Sequence, residues 1–402
     1  MPSPESDTKE FSLHPETGEG PAGIYAHIPF CQSKCPYCSF VSYQDMGGES
    51  KNSYMLALMR QAHEMACHPW SRTRKFHSLF VGGGTPSVID PEKIAAFIGV
   101  CLKAYDFAAL RDKEPEVTLE ANPNSINSEM LRLLRAAGIN RLSLGMQSFS
   151  DILLKNIGRK HTVQEGMEAF AAARAAGFAN ISLDLMYGLP GQDLADWEKS
   201  LQQALALEPE HISVYELTVE PGTPFAELAG QHRLDLPPEE EVLSMYEQAR
   251  AALPANGYKH YEISNYARPG RECIHNINYW DNGSYIGLGA GAVSCFSGVR
   301  IKSEEDPARF SGLINAGRMP FTEAEFLPLG PRFRETVIMG LRMTAGVAIS
   351  GLEKRFGLVP KKYYGDVLNR LMRQELLEEV EGRLRLSLRG LLLANRVMAQ
   401  LV

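Results

Sequence analysis

Short apolar runs rich in β-branched residues alternate with amphipathic helical stretches from residue 23 onward. This alternation constrains the fold most strongly, because parallel strands joined by crossover helices produce it. One of the helical stretches begins at Ser128 and ends at Gly138, a residue type that commonly follows the last turn of a helix. The six predicted strands are GIYAHIPF from Gly23, HSLFVGGG from His77, EVTLEAN from Glu116, NRLSLGMQ from Asn140, ANISLDLMYG from Ala179 and HISVYEL from His211.

Six strand and helix pairs fall short of the eight that close a full barrel. The sequence therefore predicts an α/β protein built on a partial (βα)6 barrel, with an open doubly wound sheet as the alternative. Polar side chains stand at the carboxyl ends of the predicted strands, where both folds place their active sites. The polar residues are Cys31, Glu120, Gln147, Asp184 and Glu216, and the segment Gly82 to Thr85 ends the second strand.

The pattern changes after about residue 330 to helical segments followed by two short strands that a turn at Glu381 and Gly382 joins. Three helices and a hairpin resemble a winged helix. The segment is predicted to cap the barrel rather than to read nucleic acid, because its hairpin is not strongly basic. We expect a flexible tail over residues 1–22, the barrel and its extension over 23–300, and a helical, winged-helix-like domain over 301–402.

The formal net charge of −7 gives no broad attraction for phosphate backbones, so nucleic acid is not an expected partner. The first twenty residues are polar, and no apolar run is long enough to span a membrane. We therefore predict a cytoplasmic protein.

Three of the seven cysteines, Cys31, Cys35 and Cys38, lie within the segment HIPFCQSKCPYCSF. An odd number of cysteines makes a disulfide framework improbable, and clustered thiolates select zinc or iron–sulfur clusters. Zinc would need a fourth ligand, for which His27 is the candidate. A 4Fe–4S cluster on three cysteines instead leaves one iron free to bind a bidentate small molecule such as S-adenosylmethionine (SAM). Cys67, Cys101 and Cys295 are predicted to be buried apolar residues.

The triad, placed after the first strand of a βα series, resembles the radical SAM superfamily. Six motifs between Gly23 and Phe296 more specifically resemble the oxygen-independent coproporphyrinogen III oxidase family. They are YAHIPFCQSKCPYC, VGGGTPS, LEANP, RLSLGMQSF, LDLMYGLPGQ and IGLGAGAVS. The resemblance implies a radical SAM barrel with a 4Fe–4S cluster on the three cysteines and SAM as the second cofactor.

The same resemblance implies that Tyr25, Gly83 and Glu120 contact the cluster-bound SAM. It also implies a second SAM site, whose residues are Tyr37, Gly84, Thr85, Gln147, Arg159 and Asp184, with Thr218 and Val293 there or nearby. From the residues alone, the glycine run before Thr85 has two explanations, namely close approach of the backbone to a ligand and a tight turn.

Two features resemble the HemW-like heme chaperone subgroup rather than the oxidases. Phe40 stands where the oxidases carry a further cysteine, and the segment CIHNINYW contains the pattern HNxxYW. The resemblance implies a protein that binds heme, with His275 as a candidate axial ligand, and passes it to membrane or cytosolic hemoproteins. An electron donor such as a flavodoxin or ferredoxin is implied for the cluster. Relatives commonly carry histidine where this chain has Val293, so its heme ligands would differ from theirs.

An enzymatic function is the alternative. Coproporphyrinogen III oxidation is disfavoured by the missing cysteine, and another radical SAM reaction remains open. A structural role is likewise the alternative for His275, since most lone histidines are hydrogen-bonded structural residues. The sequence assigns no catalytic residue.

Overall fold

The computed structural model describes residues 20–44, 47–107 and 114–402. Its strands are β1 (Ala22–Ile28), β2 (Phe30–Cys31), β3 (Tyr43–Gln44), β4 (Phe76–Gly83), β5 (Glu116–Ala121), β6 (Arg141–Gln147), β7 (Ile181–Tyr187), β8 (His211–Glu216), β9 (Lys259–Glu262), β10 (Asn265–Ala267), β11 (Tyr285–Leu288), β12 (Val293–Phe296), β13 (Val299–Ser303), β14 (Phe321–Phe326), β15 (Val347–Ala348), β16 (Leu377–Val380) and β17 (Arg383–Leu386).

The helices over the same ranges are α1 (Gly48–Cys67), α2 (Pro69–Arg72), α3 (Pro91–Ala104), α4 (Ser128–Ala136), α5 (Asp151–Asn156), α6 (Val163–Ala175), α7 (Leu194–Ala206), α8 (Pro224–Gly230), α9 (Glu239–Ala255), α10 (Ile274–Trp280), α11 (Pro307–Asn315), α12 (Leu329–Gly340), α13 (Ile349–Phe356), α14 (Pro360–Tyr364), α15 (Asp366–Arg373), α16 (Leu388–Leu392) and α17 (Ala394–Ala399).

The six predicted strands form β1 and β4 to β8, and each pairs in parallel with the next. A doubly wound sheet would reverse this order at a switch point, whereas an uninterrupted order is that of a barrel. The α/β fold and its partial barrel are therefore confirmed. The sequence did not predict β11, which adds a further parallel strand beside β1. Antiparallel strands extend both edges, and the twelve-stranded sheet stays open from β14 to β9.

Alternation along the strands places polar side chains inside the barrel. Leu142 and Leu144 of β6 are fully buried in the main hydrophobic core, as are Leu183 and Leu185 of β7. Because successive strand residues point to opposite faces, the residues between these leucines face the barrel interior. Interior positions are therefore available for polar side chains without disturbing the core.

A second hydrophobic core lies between Phe333 and Leu401. It joins helices α12 to α17 to a three-stranded sheet in which β17 lies between β15 and β16. The predicted turn at Glu381 and Gly382 is confirmed, since both residues have positive φ angles. The division at residue 300 stays a prediction; β13 crosses that residue and continues the large sheet.

Most of the predicted N-terminal tail, residues 1–19, lies outside the described residues. No helix in the described ranges is both long and apolar enough to cross a membrane. Cys101 and Cys295 are buried as predicted, but the prediction for Cys67 is wrong. Cys67 is exposed because it is the last residue of α1, beyond the buried part of that helix.

Candidate functional site

The three clustered cysteines occupy the loop that leaves β1 at the carboxyl end of the barrel. All three thiols are partly exposed and free, and Cys35 lies close enough to Cys31 and Cys38 to raise the pKa of both. Burial raises the pKa of Cys31, while a hydrogen bond from Thr85 Oγ1 to its Sγ at 3.6 Å opposes that shift. Arg159 Nη1 lies 4.0 Å from Cys35 Sγ. A hydroxyl donor and a guanidinium are the neighbours that favour thiolate ligands.

His27 is already engaged elsewhere and does not complete a zinc site. Its Nδ1 lies 2.9 Å from Tyr25 Oη, and its Nε2 lies 3.0 Å from the carbonyl oxygen of Val41. No three His, Cys, Asp or Glu side chains in the described part of the chain form a ready-made site for a metal ion. Both of its ring nitrogens are hydrogen-bonded within the fold, and the bond to Val41 connects β1 to the segment that follows the cysteines.

A small cleft beside the cluster loop brings together Cys35, Thr85 and Arg159. Asn122, which the sequence analysis did not single out, connects two of them. Its amide donates to Thr85 Oγ1 at 3.0 Å, and its Oδ1 accepts from Arg159 Nη2 at 2.6 Å. Arg159 Nη2 also donates to the carbonyl oxygen of Gly145 at 2.7 Å. The guanidinium is thus held largely by the protein itself.

The glycine run is explained first by packing of the polypeptide. A Cβ at Gly84 would lie 2.7 Å from the carbonyl oxygen of Phe30, and one at Gly83 would lie 2.5 Å from the His27 ring. The N–H of Gly83 donates to Glu120 Oε2 at 3.1 Å. Close approach of two backbone segments therefore requires small residues here, whatever ligand binds next to them.

A larger cavity of about 190 Å³ occupies the barrel interior. Residues from β1, β4, β5, β6, β7 and β8 line its wall. Helix α10 lines it at the amino-terminal end of the strands, opposite the cluster loop. The predicted site residues Tyr25, Glu120, Asp184 and His275 meet here. The sequence analysis missed the remaining lining residues, which are Phe80, Arg141, Ser143, Ser213, Tyr215, Asn276 and Tyr279.

Two carboxyl groups on the cavity wall ionise less readily than usual. Burial raises the pKa of Glu120 to about 7; the Gly83 hydrogen bond opposes this shift, and the charge of Asp184 adds to it. Burial also raises the pKa of Asp184, which accepts hydrogen bonds from Ser143 and Ser182. Both groups are acceptors suited to an ammonium or to hydroxyl groups.

Helix α10, which carries HNINYW, closes the end of the barrel opposite the cluster loop, called the floor below. Glu116, the first residue of β5, accepts hydrogen bonds from the N–H groups of Ile274 and His275, each at 3.1 Å. His275 is 1% exposed, and its Nδ1 lies 2.9 Å from Ser78 Oγ. Burial lowers its pKa to about 3, so the ring is neutral at physiological pH. Its Nε2 is buried and has no hydrogen-bond partner.

Eight predicted site residues line neither the cleft nor the cavity: Cys31, Cys38, Gly83 and Gly84, which belong to the cluster loop and the glycine run, and four others. Tyr37 packs against Phe225, with ring centroids 6.2 Å apart. Gln147 ends β6 in the left-handed backbone region, with φ 64°. Thr218 is exposed after β8, and Val293 begins β12. Their predicted contacts with SAM stay predictions.

The cluster loop, the glycine turn and the open parallel barrel together define a radical SAM protein. Comparison with known families agrees, since the chain matches the radical SAM superfamily over residues 25–204 and the HemN C-terminal domain over residues 331–393. Members of this superfamily hold a 4Fe–4S cluster and SAM, and the donor set around Cys31, Cys35 and Cys38 fits such a cluster.

The particular family follows from its relatives. The chain is 36% identical to heme chaperone HemW of Bacillus subtilis, with 93% of this chain and 97% of the relative covered. It is 34% identical to heme chaperone HemW of Mycobacterium tuberculosis strain H37Rv, with 97% of each chain covered. The chain therefore belongs to the HemW family.

The fold is also that of a solved relative. Coproporphyrinogen III oxidase HemN from Escherichia coli matches with a TM-score of 0.81 at 23% identity, covering 95% of this chain and 90% of that one.

Proposed function

We propose that this protein binds heme and transfers it to acceptor hemoproteins, and that a SAM-coordinated 4Fe–4S cluster on Cys31, Cys35 and Cys38 supports this role. The observation that carries the proposal is the 36% and 34% sequence identity, over nearly the full length, to two proteins named heme chaperone HemW. When bound, the cluster would supply an electron to SAM. The residues around it hold the thiols and orient the cluster loop.

Acceptor hemoproteins and an electron donor such as a flavodoxin or ferredoxin belong to the proposal as partners. A cytoplasmic location stays a prediction from the sequence. Phe40, which replaces the further cysteine of the oxidases, is 68% exposed beside the cluster loop and offers no additional thiolate. This supports a chaperone over a coproporphyrinogen oxidase.

The site of heme contact is proposed to involve HNINYW. His275 borders the barrel cavity and its ring is neutral, which is the protonation state an axial ligand requires. A volume of about 190 Å³ is below the roughly 300–1,000 Å³ of typical small-molecule sites. Axial ligation by His275 therefore requires α10 to move from the floor, whereas a structural His275 requires no such movement.

Heme titration of anaerobically reconstituted protein tests the proposal. We expect about four iron and four sulfide per chain, saturation at about one heme per chain and no conversion of coproporphyrinogen III with reduced cluster and SAM. Cys31→Ala should remove the cluster, and His275→Ala should shift the Soret band if the ring is axial. Absence of heme binding in every redox state, or rapid conversion of coproporphyrinogen III, would contradict the chaperone function.

A further inference from the structure

The cluster loop ends on an aromatic side chain that faces solvent. Phe40 follows the last cysteine of the triad after one intervening residue, and its surface is 68% exposed. Lys34 Nζ donates to the carbonyl oxygen of Phe40 at 3.2 Å, so the middle of the loop and its end come together at this ring. The three cysteine thiols of the same loop are partly exposed. The cluster ligands are therefore close to a surface with an apolar centre.

Two lysines make one side of this surface positive. Burial raises the pKa of Cys38, and the charge of Lys34 opposes that shift, which places the ammonium near the thiol. Lys160 lines the cleft that Ser33 and Cys35 also border. Both lysines are exposed, and neither forms an ion pair within the described part of the chain. None of the described residues that line the cleft carries a carboxylate.

The surface becomes acidic on the other side of the loop, near Tyr43. Burial raises the pKa of Tyr43, and the charges of Asp306, Glu305 and Glu304 add to that shift. Lys302 forms an ion pair with only one of these carboxylates, Glu305. With a formal net charge of −7, the chain as a whole also repels acidic proteins. The positive surface is thus limited to the side of Lys34 and Lys160.

The proposed function requires electrons at this end of the barrel. A cluster that supplies an electron to SAM needs a replacement from outside the protein. Proteins that carry single electrons meet their partners through small, transient interfaces. Opposite charges on the two surfaces speed such encounters and set their orientation. A donor that approaches the cluster loop therefore fits best if it brings carboxylates to the lysines.

We propose that Phe40, Lys34 and Lys160 form the docking surface for a small acidic protein that carries one electron. The inference rests on the proposed function and assigns its electron donor a place and a chemical class. In the complex the donor is oxidised by one electron and the cluster is reduced by one, with no bond formed or broken. Phe40 provides the apolar contact at the centre, and the lysines meet carboxylates around it.

Binding and cluster reduction are measured on the full chain with reconstituted cluster, with a bacterial flavodoxin of acidic isoelectric point as the probe. Oxidised flavodoxin reports affinity, and its hydroquinone reports the rate of reduction. Raising the salt concentration from about 20 to about 300 mM should slow reduction of the wild type about tenfold. Phe40→Ser and Lys160→Glu should each weaken binding about 5- to 20-fold, and Lys34→Gln about threefold.

The matched controls carry the same changes on other surfaces. Phe326 at the end of β14 is 66% exposed, and Lys199 is exposed on α7. Phe326→Ser and Lys199→Glu should stay within about twofold of wild type. Photoreduced deazariboflavin, a small uncharged reductant, should reduce the cluster of every variant at the wild-type rate. Slower reduction of the docking-surface variants by both reductants, with unchanged flavodoxin affinity, would place the effect in the cluster and overturn the proposal.

Cross-linking with a carbodiimide locates the contact, because it joins a lysine amine directly to a carboxylate. Peptides of the wild-type complex should contain flavodoxin joined to Lys34 or Lys160. Cross-links confined to other lysines, or flavodoxin affinities within about twofold of wild type in all three variants at full iron content, would overturn the proposal. Binding of anionic lipid vesicles that the three variants lose, with flavodoxin binding unchanged, would instead assign this surface to a membrane.

Heme titration of the same proteins separates this proposal from the proposed function. Normal heme binding together with flavodoxin affinities that the variants leave unchanged refutes the docking surface and leaves the chaperone function standing. Flavodoxin binding that the variants weaken as expected, in a protein that binds no heme, supports the docking surface and contradicts the chaperone function.

Discussion

Glu120 and Asp184 place two carboxyl groups on the wall of one cavity, and their environment determines how they ionise. Glu120 has a pKa of about 7 in the fold against 4.5 in a free chain, mainly because of burial. Between those pH values the folded protein holds a proton that the unfolded chain releases. The contribution of Glu120 to stability should therefore fall as the pH rises from 4.5 to 7 and stay constant above that range.

Glu120→Gln should remove this pH dependence. The variant keeps an acceptor for the Gly83 N–H but cannot ionise, so it should exceed the wild type in free energy of unfolding by about 3 kcal/mol at pH 8. The difference should disappear near pH 4.5. Urea unfolding at both pH values measures it.

Glu165→Gln provides a control of opposite sign, because hydrogen bonds from Thr162 lower the pKa of Glu165. That variant should be less stable than the wild type at pH 8. Equal effects of Glu120→Gln at pH 4.5 and pH 8 would show that Glu120 has an ordinary pKa.

At the scale of elements, the cluster loop depends on contact between the end of β1 and the turn after β4. The N–H of Gly84 donates to the carbonyl of Ile28 at 2.9 Å, and the N–H of Thr85 donates to that of Phe30 at 2.7 Å. These bonds fix the segment that leads directly into Cys31. The glycine turn therefore positions the cluster ligands through the backbone.

Gly84→Ala should disturb this contact, since its Cβ would meet backbone atoms of Phe30 that cannot rotate away. We expect a loss of about 1–3 kcal/mol of stability together with reduced iron content after reconstitution. Gly312→Ala is the matched control: it lies within α11 with open space around it and should stabilise the protein by about 0.5–1 kcal/mol. Full iron in Gly84→Ala would show that the loop tolerates displacement.

For the whole molecule, the floor helix α10 connects the barrel to the C-terminal core. Arg342, which follows the end of α12, lies over the Trp280 ring at 4.3 Å from its centroid. Its Nη2 lies 3.7 Å from Oε2 of Glu262, a fully buried carboxylate in β9. The backbone of Ile263 also donates to the carbonyl of Arg342. Trp280 of HNINYW thus packs where the barrel meets the C-terminal core, while His275 lines the cavity.

Arg342→Ala should lower the free energy of unfolding by about 3 kcal/mol, because it leaves Glu262 buried without a counter-charge. Adding Glu262→Gln should recover much of that loss. Arg385→Ala is the control, since its partly exposed pair with Glu378 is worth about 1 kcal/mol or less. Equal losses in the two single variants, measured by chemical denaturation, would show that the buried pair does not hold the junction.

The sequence by itself determined the alternation of strands and helices, the cysteine triad and the hairpin turn at Glu381 and Gly382. These features depend on neighbouring residues, whose periodicity and conformational preferences can be read directly along the chain. It also predicted Tyr25, Glu120 and Asp184 as site residues, through polar positions in otherwise apolar strands and through family motifs, and the three line one cavity.

Only the tertiary structure decided which of these residues share a space. Arg141 begins a strand and Asn276 lies on a short helix far along the chain, so no local pattern connects them. They meet because the curved sheet turns the inner faces of its strands toward one cavity and α10 closes its floor. Nearly complete burial distinguishes Arg141 from the other arginines in the described ranges, and burial is a property of the folded chain alone.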